Sequence, residues 1–399
     1  MSTQSIQSTQ AANQSALARL HAVRPHWQAV ARARDAIGLP DFTLLHAGPP
    51  YADPCNPPAP VLSSAVLCCL YEKWAATEPQ AEYLIASGYV RLLSAQSFGV
   101  VTPLAAVVSP SSTLVEVADP REPARRAWSL LSSGAGAQIR FGSRQHAVLA
   151  RLAWRDSVLA RALAAALEHG PIDLFALAAA GLAGGDDLHA RTTTATAALR
   201  TRLSPLLAEP SVDAMLGDTP LFFLTLWMAA CHLMMSAAAA GGADPAATLV
   251  VALAGNGREV GVRLAGKPSV WTTRLAGSPA GPRIDAAGDA RAAPLTGDSG
   301  VIDAAGFGAH AFGLAPEPTA AFAAWLPENW RDAQPRLLAS VHPGFGMLRC
   351  ALDADAVSTL NIEPLAAIAM IDADGRAGFV GRGVYAAPVD LFNAALNAL

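Results

Sequence analysis

The chain has 399 residues, of which 52% are hydrophobic and 15% charged, with a formal net charge of -4 at pH 7. That length exceeds one compact core and predicts two or three domains, and the apolar balance excludes a disordered chain. The acidic balance argues against nucleic acid as the main partner, because phosphate binding needs a basic face.

The first twelve residues are polar, without a basic start or an apolar run, and read as a loose tail rather than a signal peptide. Residues 13–36 read as two helices broken at Pro25. A proline-rich loop is expected across 43–60, carrying His46 in LLHAGPP. Residues 61–75 and 78–87 read as helices, and short strands follow after Gly88 (YVRLL, FGVV, LAAVVS, TLVEVA). Residues 144–243 are nearly all helical in pattern. Within them, 220–243 has no Asp, Glu, Lys or Arg. Its flanks are Asp218 and Asp244 and His232 sits mid-span, so it reads as a buried core helix rather than a membrane span. Next, TLVVALAGNGREVGVRLAG alternates on both sides of Gly255-Asn256-Gly257 and predicts a hairpin, to which SVWTT adds a third strand. Helical patterns return near 303–325. The C-terminal stretch reads as strand, Asp-Gly turn, strand, and a helix with Pro388 in its first turn.

These elements give an α+β protein: two mixed α/β parts with a helical domain inserted between them. The expected boundaries are a tail at 1–12, an N-terminal α/β domain at 13–142, a helical domain at 143–245 and a C-terminal α/β domain at 246–399.

The chemistry-bearing residues are scattered. There is no HExxH, P-loop or GxSxG motif, the nine histidines are dispersed, and no metal or cofactor is expected. The five cysteines, Cys55, Cys68, Cys69, Cys231 and Cys350, show no CxxC spacing and suit a reducing cytoplasm. The densest stretch is GDDLHAR at 185–191. Asp186 or Asp187 is expected to cap the following helix, with His189 and Arg191 in its first turn, where a helix N-terminus favours anions. SGAGAQIRFG and GFVGRGVYAAP are glycine-rich turns carrying Arg140 and Arg382; glycines let backbone amides approach an anion, but the signal is weak.

The stretches NQSALARL, LLHAGPP, LYEKWA, VVSPS, IRFG, GDDLHAR, FFLTLWMAA, GNGREVGVR, GDSGVIDAAGFG and GRGVYAAPVDLF, in this order and spacing, resemble the YahG/YlbE-like family encoded beside FdrA-type proteins. The resemblance runs from about Asn13 to the C-terminus. One branch of that family is the AllG-type subunit of oxamate carbamoyltransferase, which interconverts oxalurate plus phosphate with oxamate plus carbamoyl phosphate. The resemblance implies FdrA-like and AllH-like partner chains, a homo- or hetero-oligomer, a small anionic substrate and no membrane. The departures place the chain in a divergent branch. Ala95-Gln96-Ser97-Phe98-Gly99 stands where the family carries CHHHG, Ala190 and Thr192 replace the two asparagines of GDECHNRN, Thr225 replaces an asparagine, and Asp372 falls at an IAHK-like histidine. Retained are His46, Asp186, His189, Arg191, Asn256, Arg263, Asp298 and, less exactly, Asp303, where a glutamate is usual.

The resulting expectation is a subunit of a carbamoyltransferase-type complex acting on a small ureide or amide. His46, His189 and Asp186 are its candidate catalytic groups, and Arg191, Asn256, Arg263, Asp298 and Asp303 its candidate substrate contacts. The alternatives are a non-catalytic assembly subunit with a relic site, or a stand-alone amide- or ureide-processing enzyme.

Overall fold

The computed structural model describes residues 3–241, 244–346 and 348–399. It has the expected α+β composition. The larger sheet has five strands, in the order Val100–Val101, Glu122–Leu130, Thr113–Asp119, His26–Arg32 and Ile172–Asp173. Its pairs are antiparallel except the first, which is parallel. The second sheet runs Thr272–Leu275, Glu259–Leu264, Val250–Asn256, Thr296–Gly297, all antiparallel.

The Phe223–Ala238 helix lies at the centre. It is buried on all sides except at Ser236, as a run without charges requires. It touches the Thr3–Ala22 helix, the Thr113–Asp119 and Glu122–Leu130 strands of the larger sheet, the Val250–Asn256 strand of the second, and the Gly300–Ala305 helix. Among the described residues no single helix is long and apolar enough to cross a membrane.

The hairpin forms where Asn-Gly predicts it. Gly257 takes φ +85°, and the Asn256 carboxamide oxygen accepts from the Arg258 and Glu259 amides at 3.0 and 2.8 Å. The third strand, Thr272–Leu275, pairs with Glu259–Leu264. The C-terminal order of strand, turn, strand and helix also forms, with Pro388 at the N-cap of the Val389–Asn397 helix.

Three local expectations are corrected. The chain after Pro25 is the strand His26–Arg32, not a second helix, because pairing with Thr113–Asp119 and burial of Trp27 override its helical spacing. The expected tail is largely helix: Thr3–Ala22 is continuous, with Ala12, Ala16 and Leu20, four apart, buried on one face. His46 is not in a loop. It ends the buried strand Thr43–His46, which pairs in parallel with Arg91–Ser94.

Candidate active site

The GDDLHAR stretch joins two helices, Leu174–Ala183 and Thr193–Leu203. Asp186 does cap the second helix, but from well upstream: its Oδ2 accepts from the Ala195 amide at 2.9 Å and its Oδ1 lies 3.2 Å from Arg191 Nε. His189 and Arg191 are not in that helix's first turn. Asp187 folds the loop back by accepting from the Ala190 and Arg191 amides at 2.9 and 2.7 Å. Leu188 is thereby held at φ +69°, a left-handed backbone that costs a branched side chain about 1–2 kcal/mol. Burial pushes the Asp187 carboxyl up to about 6.

The fold-back sends His189 inward. Its Nδ1 is 2.7 Å from Oδ2 of Asp303, and both side chains are almost fully buried. Asp303 sits on the Gly300–Ala305 helix, and its Oδ1 accepts from the Ala309 and Ala367 amides at 2.9 and 3.1 Å. A carboxylate so held fixes the imidazole with its proton on Nδ1 and leaves Nε2 as the basic nitrogen.

His189 lines a cavity of about 270 Å³ whose other polar walls are Arg140, Arg382 and Ser299. Arg140 is half-buried, its Nε is buried without a hydrogen-bond partner, and among the described residues no carboxylate pairs with it. Its guanidinium carbon lies 4.9 Å from the centre of the Phe141 ring. Burial alone lowers its pKa to about 10. Arg382 is half-neutralised by Glu317, with Nη2 3.1 Å from Oε2, and lies 5.2 Å from the Phe322 ring centre; its Nε is buried and unpartnered. A buried cation without a counterion is costly unless an anion joins it. Arg140, without a carboxylate partner, and Arg382, which shares Glu317, lie beside an imidazole–carboxylate pair, an arrangement that can take up an anion with a base in the chamber wall.

His46, Asn256, Arg263 and Asp298 form a second cluster behind that wall. Asp298 accepts from the Gly48 amide and Gln96 Nε2 through Oδ1 (2.9 and 2.6 Å), and from the Thr102 amide through Oδ2 (2.8 Å). Burial raises its carboxyl to about 6. Thr102 and Asp298 directly precede two cavity residues, Pro103 and Ser299. Gln96 in turn accepts from Arg263, whose guanidinium stacks 4.8 Å from the Trp271 ring centre. Asn256 braces Pro49 O at 3.0 Å. His46 bonds Ala47 O at 2.8 Å and stacks on Tyr51 at 4.1 Å, and burial pulls its pKa to about 4, so it is neutral at pH 7.

Of the eight sequence candidates, only His189 lines the cavity. Asp303 acts through it, Asp186 and Arg191 shape its loop, and the other four brace the Thr102–Pro103 and Gly48–Pro49 segments. Arg140, Arg382 and Ser299 were not among the candidates. The two glycine-rich turns were their signal: Gly134, Gly136, Gly142 and Gly378 all have positive φ and deliver Arg140 and Arg382 from opposite halves of the chain.

A sequence model of the family described as oxamate carbamoyltransferase subunit AllG matches residues 90–299. The oxamate carbamoyltransferase subunit AllG of Escherichia coli K12 is 31% identical over 97% of both chains. The uncharacterized protein YahG of the same organism is 26% identical over 97% of this chain and 85% of its own. The crystal structure of a conserved protein of unknown function from Enterococcus faecalis V583 superposes with a TM-score of 0.89 at 24% identity, over 99% of this chain and 98% of that one, and shares the fold.

Proposed function

This chain belongs to the family of the oxamate carbamoyltransferase subunit AllG, and from that membership we propose that it is a subunit of a carbamoyltransferase-type complex whose chemistry runs in the His189 cavity. The observation that carries the reading is the half-buried, carboxylate-free Arg140, its Nε unpartnered, in one chamber with the His189–Asp303 pair. The substrate is a small anionic amide, such as oxamate, reacting with carbamoyl phosphate; the reverse reaction cleaves a ureide such as oxalurate with phosphate. FdrA-like and AllH-like chains are its partners. A reducing, cytoplasmic setting fits five cysteines that are all free thiols.

In the direction of ureide synthesis, Arg140 and Arg382 hold the phosphate and the carboxylate, neutralising charge and orienting both reactants. The amide nitrogen attacks the carbamoyl carbon, Nε2 of His189 accepts the proton it sheds, and the bond from that carbon to the phosphate oxygen breaks with its electron pair leaving on phosphate. In reverse, the protonated imidazole returns that proton to the departing nitrogen. Asp303 stabilises the imidazolium that forms between these events. Ser299 is placed to donate to the carbamoyl oxygen, where negative charge develops.

Co-expression with FdrA-like and AllH-like chains, followed by carbamoyl phosphate release from oxalurate and phosphate, tests the proposal. The complex is expected to turn over, with His189→Asn lowering kcat about 10²–10⁴-fold and Arg140→Gln raising the KM for the anionic reactants. A complex with wild-type turnover in the His189→Asn variant overturns it, as does one inert toward every small ureide and amide tried.

A further inference from the structure

We infer that the substrate of this cavity carries an apolar substituent beside its carboxylate, so that the chain acts on an N-substituted amide or ureide acid rather than an all-polar one. The inference rests on the function proposed above and concerns the identity of its substrate.

The cavity is divided. Its polar groups, Arg140, Arg382, His189 and Ser299, are backed by Phe141 and Phe322, which stack on the two guanidinium groups. The remaining wall includes Leu104, Leu221, Leu224, Ala367, Ala369 and Phe379, and none of its side chains can donate or accept a hydrogen bond. A substrate polar at both ends would lose water along this wall and gain no partner for it. An apolar substituent there loses nothing and is favoured by burial.

One wall residue is also held at a cost. Leu104 sits at φ +48°, with its amide 2.7 Å from where a Cβ on Gly297 would stand. That crowding explains the glycine, and Leu104 itself is a branched side chain on a left-handed backbone at the chamber edge. Strain of this kind persists where the surrounding structure enforces it, and it concentrates at ligand sites.

The test is calorimetric titration of the purified full-length chain with oxamate, N-benzyloxamate and the uncharged N-benzyloxamide. N-benzyloxamate is expected to bind at least 10-fold more tightly than oxamate, because even one methylene in an apolar pocket is worth about 10-fold. Ala369→Phe, which fills the apolar side from a half-buried position, is expected to erase that gain. Should that variant fail to fold by circular dichroism, Leu221→Asn serves the same purpose. Arg140→Gln is expected to abolish binding of both anions. Oxamate binding as tightly as N-benzyloxamate overturns the inference and leaves the proposed function standing. Failure of both anions to bind overturns both. Equal binding of N-benzyloxamate and N-benzyloxamide, insensitive to Arg140→Gln, overturns the proposed function while supporting the apolar preference.

Discussion

Gly308→Ala isolates the contact that builds the His189–Asp303 pair. Gly308 has φ +59°, so any side chain there costs about 1–2 kcal/mol of backbone strain. Its new Cβ would stand 2.2 Å from Asp303 Oδ1, 2.9 Å from Asp303 Cγ and 3.1 Å from His189 Cβ. The carboxylate has no free direction in which to yield, because Oδ1 is tied to the Ala309 and Ala367 amides and Oδ2 to His189. Displacing it forfeits at least one hydrogen bond to a charged group, worth about 1.5–3 kcal/mol. The sum is a destabilisation of about 2.5–5 kcal/mol. Urea unfolding followed by far-ultraviolet circular dichroism measures it, with Gly313→Ala as the control. Gly313 is exposed, has open space around it and no positive φ, so its substitution is expected to stay within about 0.5 kcal/mol. A Gly308→Ala protein within about 1 kcal/mol of wild type would refute the claim that Asp303 is rigidly held.

Asp303→Asn in the assembled complex is expected to lower kcat about 10²–10⁴-fold, since the amide no longer fixes the imidazole tautomer, and steady-state kinetics measure the loss. For Arg140, the folded pKa of about 10 lies below the ordinary guanidinium value, so the folded form binds fewer protons between those values and this group's contribution to stability rises with pH across that window. Below about pH 10 the penalty is fully present, so Arg140→Met is expected to raise the thermal midpoint of the ligand-free chain at pH 8. Inorganic phosphate at a hundredfold its Kd is expected to stabilise the wild type by about 2.7 kcal/mol and the variant not at all, as read by thermal shift. His342 is buried among His21, Phe175 and Phe345, and burial, helped by His21 and Arg24, lowers its pKa to about 4. Its depressed value means that stability is lost as pH falls from about 6.5 to about 4. His342→Phe should therefore gain on wild type by up to about 1.4 kcal/mol per pH unit across that range in urea titrations; a pH-independent difference would contradict the assignment.

Features encoded by neighbouring residues were legible in the sequence. Gly255-Asn256-Gly257 between alternating runs specifies its hairpin locally, and the uncharged run around Phe223–Ala238 leaves a central helix as its stable place. His26–Arg32 was not legible, because its strand character comes from partners at Thr113–Asp119. The same holds for Thr43–His46, whose parallel partner, Arg91–Ser94, lies beyond two intervening helices. Asp186, His189 and Arg191 were flagged by their density in one loop, but the partner that gives His189 its direction, Asp303, is 114 positions away. Arg140 and Arg382 were visible only as arginines in glycine-rich turns. Nothing in either turn indicates that the other exists, so their convergence is a property of the fold alone.

That convergence depends on a division of labour among buried side chains. Asp187, Asp298 and Asp303 each accept from two backbone amides, on the loop or loops that carry His189, Pro103–Leu104 and Ala367 into the cavity wall. An ionised carboxylate only accepts, so it can face several N–H groups at once; asparagine at the same place would set its own N–H₂ against one of them. These three aspartates therefore set backbone geometry first, and loss of any one disturbs the wall and the stability together. His189 is different, because among its side-chain atoms only Nδ1 bonds the protein. Among the described residues Arg140 makes no ion pair, and its Nε and that of Arg382 are left without a hydrogen-bond partner at the cavity wall. Such an arrangement is costly to maintain without a ligand, and an anionic reactant would offset that cost.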